Sequence, residues 1–449
     1  MIALRVCIGL VALVLGSSCA TGQDGAGKKS DPADVAAVRK HVDKEAASLI
    51  ELYKQLHAHP ELALQEEKTA TRIARELRAA GFEVTERFGG TGVVALLKNG
   101  PGPTILVRAD MDGLPIEEQT GLPYASKVRV RDRDGLDVGV MHACGHDINM
   151  TCLVGTARVL ASMKERWRGT LLFIGQPAEE TGQGAKAMLE AGLFDKFQRP
   201  SFGLALHCDA RYPHGHVTYR VGQMQANVDS VDVLVRGRGG HGAAPHVTID
   251  PVVVAARMVL DLQTLVSRER DPFEPVVVTV GSIHGGTKHN IIPSEVKLQL
   301  TVRTMTDASR KAVLEGIARI VRAAAAAAGA PEPTIRHDAG AYTPALHNGP
   351  ELAGKLVPLF KDVIGSERVH IRPPSMGGED FSRFTLAGIP TFYYYLGTVP
   401  PERYEASLKG GPPLPPTHSA LFYPVPEPTI RTGVLTMALA VLELNGVGR

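Results

Sequence analysis

His142-Ala143-Cys144-Gly145-His146-Asp147 sets a thiol and an imidazole two residues apart, with a glycine between them. On a tight loop Cys144 and His146 can both reach one cation, and thiolate with imidazole suits zinc or another borderline divalent ion. Taken alone, the motif also fits a buried cysteine beside a solvated histidine. Glu179-Glu180 follows an apolar run closed by Gln176-Pro177. On an extended segment adjacent side chains point in different directions, so one carboxylate can bind metal while its neighbour faces a water. Beside a cation the pKa of water falls toward ~7, and a carboxylate there can take its proton. His207 ends the next apolar run, and His418 stands in the stiff loop Pro415-Pro416-Thr417-His418-Ser419. Cys144, His146, Glu180, His207 and His418 together make five ligands, whereas one catalytic zinc uses about three. Five suit a pair of ions ~3.5–4 Å apart that share one ligand.

The elements that would position these groups follow from hydrophobic periodicity. Helical spacing runs over 35–57, 67–80 and 149–164, and buried-type strands over 93–98, 104–107, 170–175 and 203–206. The last three end in Arg108-Ala109-Asp110-Met111-Asp112, in Gln176-Pro177-Ala178-Glu179-Glu180 and in His207. Strands alternating with helices imply an α/β domain with a central, mostly parallel sheet flanked by helices. Open sheets of that kind place their sites just past the strand C-termini, where these polar residues gather. The pattern then changes. Strands over 230–235, 276–280 and 296–303, with helices over 250–266 and 308–328, imply an inserted α+β lid over 223–338. Helices over 351–363 and 427–443 and a strand over 391–395 return the chain to the first domain. The expected division is thus 1–20 export signal, 21–34 linker, 35–222 and 339–449 catalytic domain, 223–338 insertion.

The 449 residues are 44% hydrophobic and 21% charged, with a net charge of +2. That describes a soluble globular chain, and the absence of a dense basic stripe excludes a nucleic-acid partner. Arg5 precedes an apolar run over 6–15 that is too short to span a bilayer and fits a signal peptide, so the chain is expected to be exported to the periplasm or cell envelope. Two processing routes fit: lipidation of Cys19 with membrane attachment, or cleavage after Ala20. Gly16, where lipoproteins usually carry Leu, weighs against the first. Of the five cysteines, Cys144, Cys152 and Cys208 fall in the mature body. Three make a poor disulfide framework, so at least one has another task.

The ordered segments His59-Pro60-Glu61-Leu62, Arg108–Pro115, His142–Asp147, Gln176–Glu180, Gly239–His246, Asn290-Ile291-Ile292-Pro293 and Gly378-Glu379-Asp380-Phe381 resemble the amidohydrolase branch of the aminoacylase and carboxypeptidase family of co-catalytic metallopeptidases. Hippurate hydrolases and indole-acetyl-amino-acid hydrolases belong to that branch. The resemblance covers roughly residues 45 to 440. It implies metal-dependent hydrolysis of N-acyl amino acids with two divalent ions, Zn or Mn first and Co or Ni next. It implies that Cys144 bridges, that His146, Glu180, His207 and His418 are terminal ligands, and that Glu179 is the general base and later the acid for the leaving amine. It implies that Asp110 orients the site, that His241 stabilises the oxyanion (in some relatives from a partner subunit), and that Asn290 and Arg303 hold substrate, Arg303 by its carboxylate. The lid resembles a homodimerising domain. Where the family often continues Gly-His-Asp-Gly-His, this chain has Gly145-His146-Asp147-Ile148-Asn149, which leaves the ligands intact and alters what lies behind them.

Two rival readings stand beside this one. A dipeptidase or carboxypeptidase would use the same scaffold with different lid contacts. An exported binding protein without catalysis would have no chemical reason to keep Glu179 beside a ligand set. Among the remaining candidates, His57 and His59 read as structural, Cys152 as core, Cys208 as a packed thiol, and Phe392–Tyr395 as a strand.

Overall fold

The computed structural model describes residues 30–338 and 340–446. The expected export signal lies outside them. Helix α1 (Pro32–Ala58) starts inside the stretch expected as linker. Asp31 accepts a hydrogen bond from the Ala33 N–H (2.8 Å), and Pro32 fits the first turn, where no N–H is needed. Helix α2 (Glu67–Ala79) leads to β1 (Glu83–Thr85), β2 (Val93–Asn99) and β3 (Thr104–Asp110). Helix α3 (His146–Ala161) is followed by β4 (Gly169–Gln176), β5 (Phe202–Pro213) and β6 (Val217–Tyr219). Strand β5 runs well beyond Leu206, so His207 lies within the strand rather than at its end.

The insertion follows with β7 (Asn227–Arg236), β8 (Gly240–His241), α4 (Pro251–Arg268), β9 (Val276–Gly285), β10 (Ile291–Ile292), β11 (Glu295–Thr304), α5 (Asp307–Ala327) and β12 (Thr334–Arg336). The chain returns through α6 (Pro350–Ile364), β13 (Val369–Ile371), β14 (Thr391–Val399) and α7 (Pro426–Asn445).

The central sheet has the order β1-β2-β4-β3-β5-β14-β6-β13. Its middle is parallel: β4 with β3, β3 with β5 and β5 with β14. Antiparallel pairs occur toward the edges, where short strands went unread in the sequence. The period-2 alternation of strands sorts the side chains. Ile105, Val107, Phe173, Leu206, Phe392 and Tyr394 join the larger core, under α1, α3 and α7. Leu106, Leu172, Ile174, Ala205, Tyr393 and Tyr395 form a second core on the other face. Asp110 pairs with Gln176, and His207 with Tyr395, on that second face. One side of the sheet thus collects polar groups near the ends of its parallel strands, while Cys208 and Cys152 pack into the larger core as expected.

The inserted sheet is antiparallel, in the order β9-β11-β7-β12. Its inward residues, Val231, Val233, Leu298, Leu300 and Val302, meet Leu262 of α4 and Ile317 of α5 in a core of its own. In β11 exposed and buried residues alternate, as a strand covered on one face requires.

Candidate metal centre and active site

The His142–Asp147 loop folds as the N-terminal entry to α3. Gly145 takes a left-handed φ of 85°, and a Cβ there would lie 2.6 Å from the Cys208 sulfur. Glycine alone lets this turn sit on β5. Cys144 thereby reaches His207, with 3.5 Å between Sγ and Nε2, and His418, whose Nε2 is 3.2 Å from the same sulfur. His418 adopts φ 66°, a strained value for a non-glycine residue, and its N–H donates to the Ala143 carbonyl at 2.8 Å. That bond ties the late Pro415–Ser419 loop to the metal loop. Glu180 completes the group, its Oε1 being 3.4 Å from His418 Nε2 and 3.9 Å from His146 Nε2.

Among the donor triads that result, Cys144–His146–His207 and Cys144–Glu180–His418 share the cysteine, and His146, Glu179 and Glu180 form a further one. The ring orientations suit a cation. His146 Nδ1 is 2.8 Å from the Asp112 carbonyl and His207 Nδ1 is 2.9 Å from the Cys208 carbonyl. Each Nδ1–H donation turns an Nε2 lone pair to the centre. His146 Nε2 and Glu180 Oε1 are buried and have no hydrogen-bond partner among the described residues. Buried polar atoms are rarely left so, and here both face other donors of soft or borderline character. The residues therefore fit a divalent-metal site. Electrostatics agree. Burial lowers the His146 pKa, but Asp110, Asp112 and Glu180 override it and raise it to about 10. Carboxylates so placed favour a positive charge beside this ring, whether a proton or a cation.

Glu179 and Glu180 stand on a turn, not on the extended segment expected. Ala178 has φ 51°, and the Gly182 N–H closes onto the Glu179 carbonyl at 2.7 Å. What aims the two side chains is Asp112, which accepts the N–H of Glu179 (3.1 Å) and of Glu180 (3.0 Å) on its two oxygens. Glu66 supports the turn by accepting the Ala178 N–H at 2.8 Å. Neither Asp112 nor Glu66 was singled out in the sequence; a lone carboxylate carries no local mark of such a task. Burial raises the Glu179 pKa well above the ordinary carboxylate range, with Glu379 and Glu180 adding to it.

Asp110 lies beside the donor cluster, its Oδ2 3.8 Å from His146 Nε2. Burial opposes its ionisation, yet His146 and Arg108 hold its carboxyl well below the usual range. The unusual Asn149 explains itself here: its Nδ2 donates to Asp110 Oδ1 at 2.8 Å, a neutral donor that favours the ionised carboxylate. Arg108 is wholly buried and bonds Asp110 (2.6 Å), Glu379 (2.8 Å), Asp380 (3.1 Å) and the Gln176 carboxamide oxygen (3.0 Å). His57 is structural, as expected, held between Asp147 (2.7 Å) and Glu118 (3.1 Å).

A cavity of about 910 Å³ opens over Cys144, Glu179, Glu180, His207 and His418 and reaches Arg303 of β11. Arg303 is fixed by its Nε donating to Thr301 Oγ1 (3.0 Å) and its Nη1 to the Met376 carbonyl (3.2 Å). The structure does not bring His241 and Asn290 to this cavity. Both are exposed, on and beside the short β8–β10 ribbon of the insertion, where the Gly242 N–H donates to the Asn290 carbonyl at 2.9 Å. Among the described residues the backbone hydrogen bonds of this ribbon stay within the insertion.

The chain is 35% identical over 402 residues to thermostable carboxypeptidase 1 of Saccharolobus solfataricus, an alignment that covers 88% of this chain and 95% of that one. It is 38% identical over 312 residues to the N-acyl-L-amino acid amidohydrolase of Geobacillus stearothermophilus, covering 69% and 80% respectively. The crystal structure of the Bacillus subtilis YXEP protein, a dinuclear metal binding peptidase, superposes with a TM-score of 0.70 at 30% identity, over 90% of this chain and 99% of that one. Residues 106–406 match the model of peptidase family M20/M25/M40. The span of that match includes Asp110, the metal loop, Glu179, Glu180 and His207, and the chain therefore belongs to peptidase family M20/M25/M40, as a hydrolase of amide bonds.

Proposed function

We propose that this enzyme hydrolyses the amide bond of N-acyl amino acids, releasing a carboxylic acid and an amino acid. The observation that carries the reading is the pair of donor triads sharing Cys144, with Glu179 beside them in a cavity that also holds Arg303. Cys144 would bridge two divalent ions, with His146 and His207 on one side and Glu180 and His418 on the other. Zn or Mn suits these donors first. When bound, such ions polarise an amide carbonyl and make water a stronger acid. The chain does the rest. Glu179 takes a proton from the attacking water on its carboxylate and later delivers it to the departing nitrogen. Asp112 keeps both glutamates aimed, and Arg303 offers a fork for the α-carboxylate.

A hydrolysis panel tests this: hippurate, N-acetyl and indole-acetyl amino acids, and dipeptides, each with Mn or Zn and with chelator. Chelator-sensitive release of an amino acid from an N-acyl conjugate is expected. Cleavage of dipeptides alone would favour the carboxypeptidase reading, to which the Saccharolobus relative lends weight. Metal-loaded protein silent on the whole panel would sink both. Export is proposed on the sequence alone, and the intact mass of the same envelope-derived preparation tells lipidation at Cys19 from cleavage after Ala20.

The exposure of His241 and Asn290 supports a reading in which a second copy completes the site. The insertion shows apolar residues at Val253 (65% exposed), Leu260 (71%) and Ile283 (52%), and β9 is an edge strand. Edges and patches of this kind seek partners. His241→Ala and Glu179→Gln copies should each be nearly inactive alone. Co-assembled, they should regain activity, because one site of the mixed dimer then holds both native residues. Mixed dimers without recovery would place His241 outside the reaction.

A further inference from the structure

The cavity carries a second polar feature that hydrolysis of a simple N-acyl amino acid does not use. Arg372, just past β13, lines the cavity and is only 4% exposed. Its N–H donates to the Tyr219 carbonyl (2.9 Å), and its guanidinium carbon lies 3.7 Å from the centroid of the Tyr395 ring. Its Nη1 is 3.4 Å from Asp209 Oδ2, yet neither Nε nor Nη1 makes a hydrogen bond among the described residues. Asp209 is already engaged by Arg211, whose Nε and Nη2 donate to its two oxygens at 2.9 and 3.0 Å. Two guanidiniums thus share one carboxylate, and one positive charge is left over on this wall.

Burying guanidinium donors without an acceptor is costly, and the planar fork of arginine matches a carboxylate. The place is also telling. The Tyr395 ring that Arg372 covers is 5.8 Å, centroid to centroid, from His207. The surplus charge therefore lies one aromatic ring away from a metal ligand, while Arg303 supplies a separate cation from the insertion. Two carboxylates can be read at once.

We propose that Arg372, with Arg211 and Asp209 behind it, selects N-acyl amino acids that carry a second carboxylate, on the amino-acid side chain or at the far end of the acyl group. The proposal rests on the N-acyl amino acid reading above. Its test compares matched pairs on the metal-loaded enzyme: N-acetylglutamate with N-acetylglutamine, and N-succinyl-leucine with N-butanoyl-leucine. The acidic member of one pair should lead in kcat/KM by about 10- to 100-fold, and which pair does so tells which end Arg372 reads. Arg372→Met should collapse that ratio toward one. Arg211→Gln, at a side chain 56% exposed, should also shrink it, because Asp209 is then free to neutralise Arg372. Calorimetry on the Glu179→Gln protein gives a readout without turnover: N-acetylglutamate should bind more tightly than N-acetylglutamine, and adding Arg372→Met should remove the difference, with N-succinyl- and N-butanoyl-leucine as the second pair. Hydrolysis with no acidic preference in either pair overturns the proposal and leaves the general function standing. A uniform loss in Arg372→Met that preserves the ratio also overturns it. If neither these four compounds nor the N-acyl conjugates of the hydrolysis panel are cleaved, the general reading fails, and equal binding within both pairs would then defeat this proposal as well.

Discussion

Glu179→Gln is expected to lower kcat by about 10²- to 10⁴-fold, the usual worth of a positioned general base and acid, with KM little changed. The substitution preserves shape and removes only the ability to take and return a proton. The turn that carries it should survive, because Asp112 grips the backbone N–H groups of residues 179 and 180, not their side chains. Metal content is the second half of the measurement. Glu179 Oε2 lies 3.9 Å from His146 Nε2, within one donor cluster with Glu180, so the geometry alone also fits a ligand. If Glu179 is the base, the purified variant retains its full complement of metal. Loss of metal along with activity would make it a ligand, and full activity would move the base elsewhere.

Much of this donor cluster is legible in the sequence. Its five residues are marked by type and by their places, Glu180 and His207 after apolar runs and Cys144, His146 and His418 on tight or stiff loops, and the structure brings their donor atoms together; the strand period puts Asp110 and His207 on one face of the sheet. What could not be read has physical causes. The aim of Glu179 and Glu180 depends on a left-handed turn at Ala178, and the reach of His418 on φ 66° at its own position; nothing local announces either. Strained backbone persists where surrounding structure imposes it, so it is invisible to propensity. The expectation of an extended Glu-Glu segment failed for that reason. The short strands β1 and β6 form along the longer β2 and β14, and β13 adds to β6 in turn. The distant placement of His241 follows from the insertion being a body with its own core, within which the ribbon's backbone hydrogen bonds stay. Arg108 was quoted as part of a motif, but its partners Glu379 and Asp380 lie about 270 residues downstream, and only the fold reveals that they meet.

That meeting gives the largest expected effect on stability. Arg108→Ala should destabilise the catalytic domain by about 3–5 kcal/mol, the range for removing one member of a buried ionic network. One cation there faces Asp110, Glu379 and Asp380, with none of the four side chains more than 2% exposed. Asp110 would keep Asn149 and the neighbouring His146, but the remaining donors to the other two are Gln176 and the Ala185 N–H to Asp380, and Tyr393 and the Phe381 N–H to Glu379. None of these four carries charge, so the variant must keep Glu379 and Asp380 protonated or bury them uncompensated. Denaturant unfolding followed by Trp167 fluorescence reads this domain specifically, because the one tryptophan of the chain is fully buried in its larger core. The sign of the pH dependence is fixed by Asp380. Burial, with Glu379 adding to it and Arg108 opposing it, raises its pKa to about 7. An acid whose pKa is higher folded than unfolded binds more protons when folded, so it costs stability as pH rises from the ordinary carboxyl range up to that value and no more above it. Without Arg108 its pKa rises further. The deficit of the variant should therefore be smallest below 7 and grow above it, and a loss under 1 kcal/mol at all pH would mean that the three carboxyls do not depend on this arginine for their burial.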